Sequence, residues 1–556
     1  MDKSREDLPA GKAARTVPRK TDRVGAVARS RPDSPGDPSI LIQEDPVAGN
    51  LNPATGAPMD PVPWSTPREI YRAVHLAREA SVTWSGYSFQ RRAGIIRDLS
   101  RDLVANREEL LRIAARESGR TETGILATEL ANLPAFTGEC IRLCRQSLRR
   151  RRIAASGIDR PGKHWQVVPE PRGVIGVVSS WKQPVSGFYR DVFMALLLGN
   201  AVVYKPSEYV PRTGRWLAEF CRARLPVNLL GVFFGSAEAT RALFPGGVNG
   251  LMFSGNAGTD RMIRSLAVAR GVPVRSRVYG SDTALVCADA PLERAVAALS
   301  WYGFAGAGQT GHSLGRIYVE NEVADNLVQG LAARADRLNT AGPSGGMAPE
   351  REAARILVLQ ERLEEACAAG AVLRAGGSRQ GKGFGFNATV LDHCREGMAL
   401  MDLDTPGPVV MVVRVDSIAE LIRERRQGHG RPWPRMSLWT RDRRRGIRLL
   451  RQCRAPAMTL NNHGLSDVPA ALSSPDPGEG APAGAGDGLL RHQVLVTDNS
   501  RDPDPWWFPL NRSLRDAMNT LLSWHTGRPA ALLSLPFLFR RRRKVLREYG
   551  RSARPF

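Results

Sequence analysis

The spacing of apolar residues changes along this chain, and the changes divide it. Residues 1–38 are polar, proline-rich and mixed in charge, with no apolar period, which is the composition of a disordered tail. Patterned sequence begins near Ile40, and Asn52-Pro53-Ala54-Thr55-Gly56 makes a turn cluster. Thr66-Pro67-Arg68-Glu69 then supplies an N-cap, a proline at the first helical position and a glutamate at the third. Helical spacing follows over 68–84 and 89–115.

From Gly173 the pattern turns to short, continuous apolar runs. Gly173–Val178, Ala201–Tyr204, Gly231–Phe234 and Gly250–Phe253 read as buried strands, separated by helical stretches such as 189–198. Ala284–Cys287 follows, and Pro408–Val413 is the clearest strand of a second α/β stretch over about 292–448. Strands alternating with helices predict parallel strands in a doubly wound α/β architecture. Residues 468–488 are rich in Pro, Gly, Ala and Ser and read as a flexible loop. Beyond Trp506-Trp507-Phe508 come a helical stretch, an apolar run over 530–539, and the cations Arg540–Arg543 and Lys544. Pro536 interrupts that run, which is far shorter than the ~20 residues a bilayer requires.

Composition sets limits on this picture. A chain of 556 residues with 42% apolar and 24% charged residues is multidomain and globular, which excludes collagen, coiled coil and wholesale disorder. Its seven cysteines are irregularly spaced and include no CxxC, so neither a disulfide framework nor a zinc motif is expected. A reducing compartment, the cytoplasm, is the default. Asp2, Glu6 and Asp7 argue against a transit peptide, and no apolar segment suggests a signal peptide. The net charge is +24, and 71 of the 79 basic residues are Arg, a bias that fits codon composition better than a selected nucleic-acid surface. Arg149–Arg152, Arg441, Arg443–Arg445 and Arg448 read as solvated or subunit-facing charge, and nucleic acid is not the expected partner. The C-terminal apolar run with its cations suits either packing on a neighbouring subunit or peripheral contact with anionic lipid.

Several motifs recur in one order. They are Gly173–Val178, Trp181, Pro184, Gly199-Asn200-Ala201, Lys205-Pro206-Ser207-Glu208, Phe253-Ser254-Gly255, Gly308-Gln309 with Arg316 downstream, and Thr405 with Gly407-Pro408-Val409. Leu460-Asn461-Asn462-His463 closes the series. Together they resemble the aldehyde dehydrogenase family over roughly residues 45–465. The resemblance implies a Rossmann-type cofactor domain, an α/β catalytic domain and a small oligomerisation hairpin in a homo-oligomer. It divides the chain into a tail (1–38), an NAD(P)-binding-type domain (39–278, with the hairpin near 147–170), a catalytic-type domain (279–452), an oligomerisation segment (453–510) and a C-terminal tail (511–556).

The resemblance also implies cofactor positions: Trp181, Lys205, Ser207, Glu208, Gly235, Ser254, Gly255, Asn256 and Asp404. Lys205 and Glu208 follow the carboxyl end of a strand, where an open α/β sheet binds ligands, and suit ribose hydroxyls. Gly255 lets backbone approach a pyrophosphate near a helix N-terminus. The implied cofactor is NAD or NADP, but its site is eroded. Asn256 replaces a serine, Asp260 a glycine, Asp404 a glutamate and Pro406 a phenylalanine, and the family's late Pro-Trp-Gly-Gly segment is missing.

The chemistry breaks at three positions. The family's thiolate stands two residues after Gly-Gln, where this chain has Gly311. Its general base falls on Arg277, a permanent cation, and the next segment has Tyr279 in place of a glycine. The oxyanion-binding amide falls on Lys182, which could still donate. Only His312 and Ser313 stand near as substitute nucleophiles. The resulting expectation is a family member that has lost its reaction. The alternatives are an active oxidoreductase with a divergent site and a surface-binding protein acting through Arg-rich patches on membrane or nucleic acid.

Overall fold

The structure is a computed structural model that describes residues 51–153, 163–311, 313–341, 347–351, 353–381, 383–402, 407–428, 433, 435–455, 457–464, 488–498 and 512–526. The expected tail 1–38, the loop 468–487, the apolar run with its cations, His312 and Asp404 lie outside the described residues.

Helix α1 (Pro67–Ser85) starts on the predicted cap: the Thr66 hydroxyl accepts from the Glu69 N–H, and the Thr66 N–H donates to the Glu69 carboxylate at 2.7 Å. The single helix expected over 89–115 is instead two, α2 (Phe89–Ala105) and α3 (Arg107–Ser118). Asn106 makes the break at φ −102° and ψ 24°, with its backbone N–H and side-chain amide both donating to the Asp102 carbonyl. Helix α4 (Glu122–Ile125) runs into a π-turn (Leu126–Leu130), followed by α5 (Leu133–Ser147) and the strands β1 (Arg151–Ile153) and β2 (Lys163–Pro171).

Five parallel strands form the first sheet: β3 (Val174–Val178), β4 (Ala201–Lys205), β5 (Leu230–Val232), β6 (Gly250–Gly255) and β7 (Val274–Val278), in the order β5-β4-β3-β6-β7. The strand expected over 231–234 ends earlier, because Phe233 and Phe234 turn into the next loop and Phe234 N–H donates to the Ser65 hydroxyl. Helices α6 (Pro184–Leu197), α7 (Pro211–Arg222), α8 (Ala237–Gly246) and α9 (Ala257–Val268) connect these strands. Every residue of α6 is buried, so it reads as an apolar block rather than an amphipathic stripe. The strand order reverses between β3 and β6, and the Ser180 N–H donates to the Ser254 hydroxyl across that gap at 3.3 Å. Such a switch point is where an open α/β sheet presents its crevice.

The second sheet has seven strands, with helices α10 (Leu292–Phe304), α11 (Asn321–Ala341), α12 (Ala353–Ala368), α13 (Ile418–Arg426) and α14 (Arg443–Leu450) in its connections. In chain order its strands are β8 (Asp282–Val286), β9 (Leu314–Glu320), β10 (Val372–Ala375), β13 (Thr389–Asp392), β14 (Val409–Val415), β15 (Met436–Trp439) and β16 (Met458–Leu460). Between β10 and β13, the short strands β11 (Arg379–Gln380) and β12 (Gly385–Phe386) pair with each other. Only β10 runs antiparallel in the larger sheet, whose order is β10-β13-β14-β9-β8-β15-β16. The expected boundary at 278/279 falls between the two sheets, in the turn from β7 to β8. Strand β16 belongs to the larger sheet, although it lies within the stretch assigned to oligomerisation. The third sheet is antiparallel, with β17 (Leu490–Asp498) pairing along all of β2 and β1 pairing with the other edge of β2. Helix α15 (Arg512–His525) is the last described element. No helix among the described residues is long and apolar enough to cross a membrane.

Candidate active site

The chain reaches Gly311, where the resemblance places a nucleophile, through a left-handed turn. Gly306, Ala307 and Gly308 have φ of 61°, 55° and 65°. Gly308 cannot be replaced without moving backbone, since a Cβ there would lie 1.9 Å from the Gly407 carbonyl oxygen. Gln309 pins the turn: its amide donates to the Pro349 carbonyl at 3.0 Å and accepts from the Arg351 N–H at 3.2 Å. The turn delivers Gly311 to a place that is already filled. A Cβ on Gly311 would lie 2.9 Å from Gln183 Oε1 and 2.9 Å from Tyr279 Cε1. Ser313, one of the candidate substitutes, is buried and donates its hydroxyl to the Thr310 carbonyl at 2.8 Å, so its proton is held by backbone rather than by a base.

The position that the resemblance gives to a base holds an arginine. Arg277, on β7, lies 3.4 Å from Asp191 Oδ1 on α6, and the side chains of both are mostly buried. Tyr279 is 1% exposed, and its hydroxyl has no hydrogen-bond partner among the described residues. Lys182 stands 5.6 Å from the centre of the Tyr279 ring, within cation–π range. The Lys182 carbonyl accepts from Arg120, whose guanidinium is bound to the buried Glu129 carboxylate. Ser118, Arg120, Trp181, Lys182, Gln309 and Thr310, with Gly306, line a small pocket that has room for about one water molecule.

A buried charge cluster supports Gly311 from the other sheet. Arg435 donates to the Gly311 carbonyl and to Asp282 Oδ1, the latter at 2.9 Å. Burial pushes the Asp282 carboxyl up to about 6, against the opposing pull of Arg435 and Lys182. His463 is equally buried, with Nε2 3.8 Å from Asp282 Oδ2 and Nδ1 2.8 Å from the Ser437 hydroxyl. The sequence reading missed Arg120, Gln183, Asp191, Asp282 and Arg435. These residues come from separate elements, and no local motif joins them.

The expected cofactor residues divide into two groups. At the end of β4, Lys205 Nζ lies 3.2 Å from Glu208 Oε2, a cation and carboxylate side by side as a ribose requires. Ser207 is buried beside them and accepts from the Tyr209 N–H at 3.4 Å. Trp181 meets the Tyr209 ring edge-on at 6.4 Å. Gly235 has φ 146°, and a Cβ there would clash with Ala239. The phosphate end does not match. The cradle that Gly255 opens by lacking a Cβ holds the Phe253 ring, whose Cζ lies 2.3 Å from where that Cβ would be. The Asn256 side chain accepts from the Thr259 N–H at 2.7 Å and so caps α9 itself. Asp260 adds a carboxylate in the first turn of α9, bound by Arg264 and Ser276. A helix N-terminus that is already capped and acidic is a poor phosphate site. The residues present therefore fit a ribose but not a complete dinucleotide.

A sequence model of the Aldehyde dehydrogenase family matches residues 43–473. The chain belongs to the aldehyde dehydrogenase family. It is 27% identical to the 4,4'-diapolycopene aldehyde oxidase of Methylomonas sp over 492 residues, 87% of this chain and 92% of that one. It is 31% identical to the 3,6-anhydro-alpha-L-galactose dehydrogenase of Streptomyces coelicolor over 386 residues, 67% of this chain and 77% of that one. Lactaldehyde dehydrogenase from Escherichia coli shares the fold with a TM-score of 0.72 and 23% identity, over 81% of this chain and 95% of its own. This aldehyde dehydrogenase family chain thus keeps the architecture through the altered positions. Aldehyde oxidation with NAD(P) is the family's reaction, and Gly311, Arg277 and Lys182 stand where the resemblance places its groups.

Proposed function

We propose that this aldehyde dehydrogenase family chain does not oxidise aldehydes and acts instead as a scaffold, partner subunit or regulator. The filled space at Gly311 carries the reading. A missing thiol alone could leave an open site, but Gln183 and Tyr279 occupy the volume that a side chain would need. The Arg277–Asp191 pair supports the same conclusion, because a cation cannot accept a proton from a hydrolytic water. Ser313 offers no second route, since its hydroxyl is bound to backbone.

In this reading NAD and NADP bind weakly or not at all, because the α9 end is capped and acidic. The partner is a second copy of the chain. Val494, Leu495 and Val496 on β17 are exposed, and another protomer would cover them. The cytoplasm is the compartment, and all seven cysteines are free thiols. Peripheral lipid contact belongs to the C-terminal tail, and liposome sedimentation of a chain truncated at Thr526 tests it: unchanged binding would remove the tail from the proposal.

The deciding experiment mixes purified chain with NAD+ or NADP+ and a panel of aldehydes. No reduced cofactor is expected. Turnover that is abolished by changing Ser313 or His312, and kept when a distant residue is changed, would overturn the reading. Calorimetric titration with both cofactors is expected to give no saturable heat.

A further inference from the structure

We propose that the exposed face of α14 docks on an anionic lipid surface, a bilayer rich in phosphatidylglycerol. The face uses neither the altered reaction pocket nor the C-terminal tail, and it stands whether or not the chain oxidises aldehydes.

Charge is concentrated here. Residues 441–454, in and around α14, hold seven arginines and one aspartate, a quarter of the chain's net charge of +24. Arg441, Arg443, Arg444, Arg448, Arg451 and Arg454 are exposed, and none of them makes an ion pair among the described residues. The seventh, Arg445, turns inward, with Nη2 3.6 Å from the buried Glu320 carboxylate. The two carboxylates at the start of the helix are taken by backbone. Asp442 accepts from the Arg445 N–H at 2.9 Å, and Asp289 accepts from the Arg441 and Asp442 N–H groups at 3.1 Å. Arg444 and Arg448 stand four residues apart, and Arg448 and Arg451 three apart, spacings at which like charges destabilise a helix. An anionic surface turns that repulsion into attraction.

Packing fixes which side of α14 faces out. Gly446 and Leu449 are buried, and a Cβ on Gly446 would lie 2.7 Å from Leu460 Cδ1. Arg444, Ile447, Arg448 and Arg451 share the opposite face, at the i, i+3, i+4, i+7 spacing, and all four are exposed. Ile447, in the middle, is 38% exposed. An apolar side chain ringed by cations suits the boundary between lipid head groups and acyl chains, where the cations meet phosphates. Ile447 offers nothing to the phosphates of a nucleic acid, and 441–454 contain no aromatic residue on which a base could stack. Helix α13 packs on the same core through Ile422, as α14 does through Leu449, and ends on the exposed Arg426.

The test is sedimentation of the full chain with vesicles of phosphatidylglycerol mixed into phosphatidylcholine, at about 0.1 M salt. Binding is expected. It should be lost with pure phosphatidylcholine, and at about 1 M salt, where charges are screened within ~3 Å. Each cation at such a surface is worth about fivefold in affinity, so Arg444→Gln/Arg448→Gln/Arg451→Gln should bind about a hundredfold more weakly. Arg149→Gln/Arg150→Gln/Arg151→Gln removes the same charge from another exposed run and should weaken binding far less. Ile447→Ser should weaken it severalfold. Unchanged melting midpoints show that the variants are folded. If the α14 triple variant does not fold, Arg444→Gln alone still decides, by its fivefold loss. Undiminished binding in the folded α14 variants would assign lipid contact to the tail. Equal loss in both triple variants would reduce it to net charge, and displacement from the vesicles by duplex DNA at equal phosphate would make nucleic acid the partner. Each of these results would overturn the proposal, as would a chain that does not sediment with the vesicles at all.

Discussion

Arg277 on β7 and Asp191 on α6 form an ion pair, Nη2 to Oδ1, at 3.4 Å. The pair ties an edge strand of the first sheet to the helix buried behind it. Its position is the one the family resemblance gives to a proton-accepting carboxylate, and in this chain the residue there makes a buried ion pair instead. Asp191 is buried and faces this cation, so replacing Arg277 alone removes a positive charge that the buried carboxylate meets.

Arg277→Glu restores the side chain expected of the family but sets two carboxylates together, one of them buried. Breaking a buried pair costs about 3–5 kcal/mol. The unfolding midpoint in urea should fall accordingly. Adding Asp191→Asn should recover most of the loss, because the repulsion is then gone. A midpoint unchanged in Arg277→Glu would show that the pair contributes nothing.

Gly311→Cys should remain inactive towards aldehydes. The new Cβ must displace Gln183 Oε1 and the Tyr279 ring, each 2.9 Å away. The thiol would also lack a base, since Arg277 cannot serve as one. Alkylation by iodoacetamide measures its accessibility. The introduced thiol should react slowly in the single variant and faster once Tyr279→Gly opens the slot. Robust aldehyde oxidation by the single variant would contradict this account.

The strands were readable because parallel strands buried on both faces leave unbroken apolar runs, as in Val174–Val178 and Val409–Val413. The glycine at 311 was readable because Gly308-Gln309 stands just ahead of it in the sequence. The start of α6 was not. The apolar run suggested 189–198, whereas the helix begins at Pro184. The Gln183 side chain does not cap the helix but accepts from Arg190, and the capping carboxylate comes from Glu129, 56 residues upstream of Val185. Tyr279 was visible as a substitution, but its filling of the Gly311 space was not. That relation exists only once β7 and the left-handed turn are brought together. Asp282 and Arg435 are 153 residues apart in the chain and carried no local signal at all.

Asp282 predicts a pH dependence of stability. Its folded value is raised to about 6 from an ordinary 3.8, with burial as the main cause. A raised value means that the folded chain takes up this proton more readily than the unfolded one. The contribution is therefore greatest below pH 3.8 and is lost as pH rises through 6. Asp282→Asn removes the titration. The stability difference, parent minus variant, should fall by on the order of 3 kcal/mol between those limits and stay flat above them. Repeating the series in a His463→Gln background separates the neighbouring imidazole. A difference that is flat or rising across the window would refute the assignment.

At Glu129 one carboxylate does the work of a helix cap and a counter-ion. It is fully buried and accepts from the Val185 N–H at 2.9 Å and the Ser186 N–H at 3.0 Å, the exposed donors of the first turn of α6. It also binds Arg120, whose side chain is only 12% exposed. Glu117 does the same for α7, accepting from the N–H groups of Arg212 and Thr213 at 2.8 and 2.7 Å. An ordinary side-chain cap contributes about 1 kcal/mol. Glu129→Ala should cost about 3–5 kcal/mol, because it also strands the buried guanidinium. Glu129→Gln keeps an acceptor for α6 and should cost less. Glu129→Ala combined with Arg120→Met should be milder than Glu129→Ala alone, since no buried charge remains without its counterpart. Urea unfolding of the three variants checks the order. If the double variant were the least stable, the two residues would contribute separately and the counter-ion role would be wrong.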